Sequence, residues 1–396
     1  VAKSALMSYL VVLILTLAAY FQGNLDPKEI IKTLSIYAGI HIEPGNTLLV
    51  FDEIQQCPKA LNSLKYFYED AKNYYLIAAG SLLGIKTSRE QGFPVGKVNF
   101  LDVYPLSFFE FLSATNNENL RIFLEEYATF DPLPLPLHEK LIQLLKYYFF
   151  IGGMPEVVAE YIRHDDFSIV REVQVEILKA YEQDFARHAP INDIMKITTA
   201  WRQVHRQLAK ENKKSIFSAI RRSARGRDYE GAIQWLLDAG LIHKSYLVES
   251  PKFPLSAYAD ADTFKIFLLD VGLLGAQSSL SAQTIIERDR LFTEFKGALT
   301  ENFIAQELIA TDRQKLYYWK SSGMAEVDFL LEGDHEIYPL EVKSGENNKS
   351  KSLFFYNQKY HPSSLYFTTL MNLRGENTLI NYPFYMISLL SKRVSA

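Results

Sequence analysis

Apolar positions recur along the chain in two periods. Leu48–Phe51 and Tyr74–Gly80 are short apolar runs, and Pro58–Lys72 between them has the spacing of an amphipathic helix. Strand, helix, strand in that order predicts a parallel sheet with crossover helices. From 104 to 187 the period is helical, broken by the proline-rich stretch Asp131–Pro136 and by the turn Gly152-Gly153-Met154-Pro155. From 188 to 284 short helices precede a hairpin-like stretch. From 285 a helix leads into strands at 316–320, 325–331 and 336–343. The pattern predicts an α/β protein with modules at 1–103, 104–187, 188–284 and 285–396.

The start of the chain stands apart. Ala5–Phe21 holds 17 residues without a charge, short of the roughly 20 that a membrane span needs. Lys3 before the run suits a signal peptide, but a clear small-x-small cleavage site is absent. The reading adopted is a buried helix followed by a buried strand.

Composition narrows the partners. The 396 residues carry 42 Lys plus Arg against 46 Asp plus Glu, a net charge of -4, which excludes a chain-wide basic nucleic-acid binder but not a local basic patch. The single cysteine, Cys57, forbids an intrachain disulfide, argues against a thiolate zinc site and fits a reducing, cytoplasmic setting. The histidines lack metal-ligand spacing, Gly80–Gly84 lacks the G-x-S-x-G spacing of a nucleophile elbow, and there is no G-x-G-x-x-G.

Leu48–Phe51 followed by Asp52-Glu53 has the form of a Walker B strand. A buried strand delivers Asp52 to the sheet rim, where its carboxylate holds magnesium, and Glu53 orients the attacking water. Tyr75–Gly80 is a second buried strand ending at Ser81, a small polar residue suited to sensing a γ-phosphate. Upstream, Lys3-Ser4 matches the end of a phosphate loop leading into a helix, Lys3 for phosphate and Ser4 for magnesium. Ala2 stands where the last glycine of such a loop belongs, so much of the backbone N–H cradle is missing.

With these residues the chain resembles the bacterial and archaeal AAA-family ATPases that carry a C-terminal domain of unknown function. The resemblance rests on Asp52-Glu53-Ile54-Gln55 with Cys57-Pro58, Ala79-Gly80-Ser81 and Phe93-Pro94-Val95-Gly96-Lys97. It continues through Tyr104-Pro105-Leu106-Ser107-Phe108, Glu110-Phe111-Leu112 and Gly152-Gly153-Met154-Pro155-Glu156. It implies a P-loop NTPase-like parallel sheet, a helical lid at 104–187, a winged helix and a restriction-endonuclease-like module, with ATP and Mg2+ as ligands. It also implies that Lys97, the basic residue before the Tyr-Pro-Leu segment, faces phosphate; the alternative is a solvated lysine.

Two further constellations bear on function. Between Arg202 and Arg227 lie nine basic residues and one acid, Glu211. A helix at 228–240 and two strands within 243–258 would follow in winged-helix order, and Arg221, Arg222 and Arg225 are the candidate phosphate contacts on DNA. Asp228, Glu230 and Asp238 on the would-be recognition helix suit DNA poorly, which leaves a solvated or docking face as the alternative. In the last module, Glu301 lies on a helix, Glu326 and Asp328 share one face of a strand, and Glu341 and Lys343 share one face of the next. This is the order of a restriction-endonuclease-like site. Glu301, Asp328 and Glu341 would hold a divalent metal, magnesium or manganese, with Lys343 steadying the attacking water or the leaving charge.

The expected protein is an AAA-family ATPase-like chain acting on or near DNA. The alternative is a non-hydrolysing scaffold that binds DNA or another protein. A membrane is not an expected partner.

Overall fold

The structure is a computed structural model that describes residues 8–13, 18–23, 25–80, 96–208, 227–283, 296–312, 315–323, 325–333, 335–343 and 350–394. The chain divides into two compact units, 1–103 and 104–396.

In the first unit, β1 (Ser8–Leu13), α1 (Pro27–Ala38), β2 (Thr47–Asp52), α2 (Pro58–Asp70) and β3 (Tyr75–Ala78) alternate. The strands form a parallel sheet in the order β1-β2-β3, with Ser8 opposite Thr47 and Leu48 opposite Tyr75. Of the apolar run expected to open as a helix, the described residues form β1 at Ser8–Leu13 and a 3-10 turn at Ala18–Phe21. The sequence Val11-Val12 is β-favouring, and pairing with β2 satisfies the backbone of Ser8–Leu13. Among the described residues no helix is long and apolar enough to cross a membrane. Asp26 caps α1 by accepting the Lys28 N–H at 2.9 Å, Pro27 sits at its first turn, and Gly39 ends it at φ 66°. Phe51 of β2 packs edge-on against Phe21 and Phe67, with centroids 5.4 and 5.8 Å away, and Cys57 is buried in the same core.

The second unit opens with α3 (Phe108–Ala114), α4 (Glu118–Glu126), α5 (Leu135–Ile151), α6 (Pro155–His164), α7 (Phe167–His188), α8 (Ile194–Leu208) and α9 (Arg227–Asp238). β4 (Ile242–Val248), β5 (Asp260–Leu268), α10 (Val271–Gln277) and α11 (Lys296–Asp312) follow. Then come β6 (Leu316–Lys320), β7 (Glu326–Glu332), β8 (Ile337–Val342), α12 (Lys351–Tyr360), β9 (Leu365–Thr369), β10 (Arg374–Glu376), β11 (Leu379–Pro383) and α13 (Ile387–Val394). All eight strands form one sheet in the order β10-β11-β9-β8-β7-β6-β4-β5. The hairpin expected after α9 is present as β4 and β5, but its second strand begins at Asp260 rather than ending at Tyr258. Pro251 and Pro254 supply no N–H to a ladder and lengthen the connection. On its other side β4 pairs parallel with β6, Ser245 opposite Leu316. The hairpin is therefore part of the sheet that carries the last module, and among the described residues no separate sheet begins after 285.

α11 is buried on nearly every side, so its polar residues serve as internal partners. Asn302 accepts the Leu268 N–H at 2.7 Å and donates to the Leu268 carbonyl at 3.0 Å. Gln306 accepts the Val271 N–H at 2.9 Å, and Glu307 accepts the Phe108 N–H at 2.7 Å. Beside them Asp270, fully buried, accepts the Gly153 N–H at 2.6 Å and the Leu273 N–H at 2.8 Å. Leu106 N–H donates to the Gly153 carbonyl at 2.7 Å, and the Tyr148 hydroxyl donates to the Leu106 carbonyl. A Cβ on Gly153 would lie 2.1 Å from the Leu106 carbonyl oxygen, which forbids a side chain there.

Burial pushes the Glu307 carboxyl up from an ordinary 4.5 to about 8, and burial likewise raises Asp270 to about 6. A raised carboxyl keeps its proton in the folded state after the unfolded chain has released it. Its contribution to stability is complete below about 4.5 and is lost as pH rises through about 8. Denaturant titrations should show stability falling by up to about 1.4 kcal/mol per pH unit across that window. Glu307→Gln, which retains the acceptor for Phe108, should flatten the fall between pH 6 and 8. Gly153→Ala should lower stability by about 1–3 kcal/mol at any pH, through overpacking against Leu106.

Candidate functional site

Two acidic sites are built, one in each unit. In the first, β2 carries Asp52 to the carboxyl end of the sheet, where open α/β sheets bind ligands. Glu53 follows in the left-handed conformation at φ 55°, and its N–H donates to Asp52 Oδ1 at 3.0 Å. The Ile54 N–H donates to the Ala79 carbonyl at 3.0 Å and the Ala79 N–H to the Phe51 carbonyl at 2.7 Å. The acidic turn is thereby tied to the end of β3, the strand that leads towards Ser81. A half-buried carboxylate at a strand end, with a second acid beside it, fits the magnesium side of a nucleotide site. Lys3, Ser4 and Ser81, the other expected nucleotide contacts, lie outside the described residues. β1 begins at Ser8, so only residues 5–7 separate it from Ser4. Lys97 pairs with Glu69 at 3.3 Å and lies 5.0 Å from the Tyr68 ring centroid, so its ammonium is held against α2.

The second site lies on the large sheet beneath α11. The register of β7 on β8 pairs Phe329 with Leu340, which brings Asp328 and Glu341 opposite each other. Asp328 Oδ2 accepts the Val342 N–H at 2.9 Å. Glu341 is 4% exposed; its Oε1 takes the Lys343 ammonium at 2.7 Å and the Ser350 hydroxyl at 3.2 Å. Its Oε2 is buried with no hydrogen-bond partner among the described residues. Burial holds Glu341 above the usual carboxylate range against the pull of Lys343. Glu301 acts electrostatically on both Glu341 and Lys343, so the four side chains singled out from the sequence do gather.

A fifth residue stands among them. Lys265 of β5 is 2% exposed, and its ammonium lies 2.7 Å from Glu326 Oε1, 3.8 Å from Asp328 Oδ1 and 3.9 Å from Glu301 Oε2. Its Nζ also lies 4.8 Å from the Tyr318 ring centroid. Burial alone would pull its pKa down, but Glu301, Asp328 and Glu326 outweigh burial and raise it, so the group is charged. Glu326 also meets Lys320 at 3.4 Å. Burial raises Glu326 less than its two lysines lower it. Lys265 is absent from the expected set. Its signal in the sequence is a lone charge in the apolar strand Phe264–Leu269. Among the described residues no group of three or more His, Cys, Asp or Glu side chains is arranged to hold a metal ion.

Arg221, Arg222 and Arg225, the candidate DNA contacts, lie outside the described residues. On the helix that follows, Glu230 is exposed and the Gln234 amide donates to Asp238 at 2.8 Å.

Residues 3–112 match the AAA domain family. This N-terminal segment is similar to the ATPase domain of AAA-type proteins. Two domains of unknown function follow, DUF8612 over 142–284 and DUF4143 over 296–385. No curated protein matches the chain. The AAA match covers the β2 acidic turn, and the DUF4143 match covers Glu301, Glu326, Asp328, Glu341 and Lys343 but stops short of Lys265.

Replacing Lys265 by Met leaves buried carboxylates without their cation. Such a loss costs about 3–5 kcal/mol when one partner of a buried pair is removed. A double-mutant cycle in denaturant should show that cost, with Glu326→Gln recovering part of it in the Lys265→Met background.

Proposed function

We propose that this AAA-type ATPase-like protein acts on or near DNA, with a nucleotide site in its N-terminal unit and a nuclease-like site in its C-terminal unit. The observation that carries the nucleotide reading is the Asp52-Glu53 turn at the carboxyl end of a parallel β-strand, inside the AAA match. Bound ATP would supply a phosphoanhydride, and Mg2+ its charge compensation. Of the described residues, Asp52 would orient the metal's water ligands and Glu53 the attacking water. Isothermal titration with ATP and Mg2+, comparing the chain with Asp52→Ala, tests this half. Heat lost with Asp52→Ala supports it.

The second reading is a non-hydrolysing scaffold that binds DNA or protein. Ala2 in place of a loop glycine favours it, as does Lys97 held by Glu69 rather than free for phosphate. No ATP binding by the chain would decide for it.

DNA contact rests on the basic segment 202–227. Binding should be sequence-blind and salt-dependent. Removing Arg221 and Arg222 together should reduce the slope of log affinity against log salt by about 1.8, at about 0.9 per phosphate contact. Fluorescence anisotropy on unrelated duplexes across a salt series measures it. An unchanged slope would assign the segment to a solvated or docking face.

A further inference from the structure

We infer that Lys265 is the resident cation of the carboxylate site: its ammonium holds the place a divalent metal would take, so the site as built excludes metal. Four carboxylates gather there, from Glu301, Glu326, Asp328 and Glu341. Three ammonium groups, from Lys265, Lys320 and Lys343, face them. The formal sum is minus one, so three of the four negative charges are already matched by a cation. Position matters more than the sum. A magnesium ion shared by Asp328 and Glu301 would need an oxygen of each at about 2.1 Å. The Lys265 ammonium instead stands 3.8 Å from Asp328 Oδ1 and 3.9 Å from Glu301 Oε2, in the space such an ion would enter. The carboxylates also have other partners: Asp328 Oδ2 accepts a backbone N–H from Val342, and Glu341 Oε1 is taken by Lys343 and Ser350.

The lysine cannot swing aside without cost. It is 2% exposed, its head lies near the Tyr318 ring, and its strand is flanked by buried Phe264 and Ile266. Glu341 Oε2 is an acceptor with no hydrogen-bond partner among the described residues, and Glu301 Oε2, also buried, has the Lys265 ammonium at 3.9 Å. The inference is independent of nucleotide binding by the N-terminal unit.

The test is Mn2+ binding to the full chain by electron paramagnetic resonance. The variants are Lys265→Ala, Glu341→Gln and the two combined. The wild type should show no stoichiometric Mn2+ that Glu341→Gln removes. Lys265→Ala should gain one Mn2+ site, tighter than any in the wild type by about tenfold or more, because a like charge has left the cluster. The combined variant should lose that site. Mn2+ should also raise the melting temperature of Lys265→Ala and leave the wild type unmoved. If Lys265→Ala folds only with Mn2+ present, that supports the inference in the same sense. A wild-type chain that binds one Mn2+, with loss on Glu341→Gln, overturns it without recourse to any Lys265 variant. A well-folded Lys265→Ala that binds no Mn2+ overturns it as well.

Discussion

A carboxylate buried out of reach of water must be given donors, and Asp270 shows how far that demand reaches. Its two oxygens draw in the backbone of Gly153 and of Leu273, so a turn between helices and the first turn of α10 are fixed to one atom group. Leu106 hydrogen-bonds to the same Gly153, and Gln306 of α11 reaches Val271 next door. Helices and sheet of the second unit thus share a polar centre inside an apolar core. Only glycine fits at 152 and 153, because one Cβ would meet the Asp270 carboxylate and the other the Leu106 carbonyl. The short motifs at 104–108 and 152–155 are two halves of this one contact.

The legible part of the fold is that set by local period. β6, β7 and β8 fall where alternation places them, and the β2–α2–β3 unit follows from short apolar runs around an amphipathic helix. β1 is different: a run apolar on all sides does not distinguish a helix from a strand, and pairing with β2 decides it. The union of β4 with β6 has no local signal at all, since parallel neighbours far apart in sequence are chosen by packing. Motif order suggested two sheets after residue 188, where the described residues of the second unit make one.

The candidate site divides in the same way. Glu326, Asp328, Glu341 and Lys343 lie on neighbouring strands, so period 2 and short spacing bring them together on paper. Glu301 needed only the assumption that its helix covers the sheet. Lys265 comes from a strand three places away from β7 in the sheet, and a lone lysine in an apolar strand reads as an edge residue or an error of assignment. Its long stem covers part of that distance, and the Glu326 side chain from β7 meets it at 2.7 Å. Charges that are near in space but far in sequence are the part of a site that pattern reading does not reach.

The place of β4 between β5 and β6 sets the order in which the sheet can close. The β4–β5 hairpin is finished once residue 268 is made, yet one edge of β4 has no partner until residues 316–320 follow. Throughout that interval of synthesis the chain presents an open strand edge next to apolar faces, the kind of surface that other chains add to. α11, made between the two strands, carries Asn302, which binds the end of β5, and Gln306, which binds the start of α10. The helix can therefore dock on the hairpin before β6 arrives and shield it. The last third of the chain is in this sense a folding partner supplied late to the middle third, and neither has a complete sheet alone.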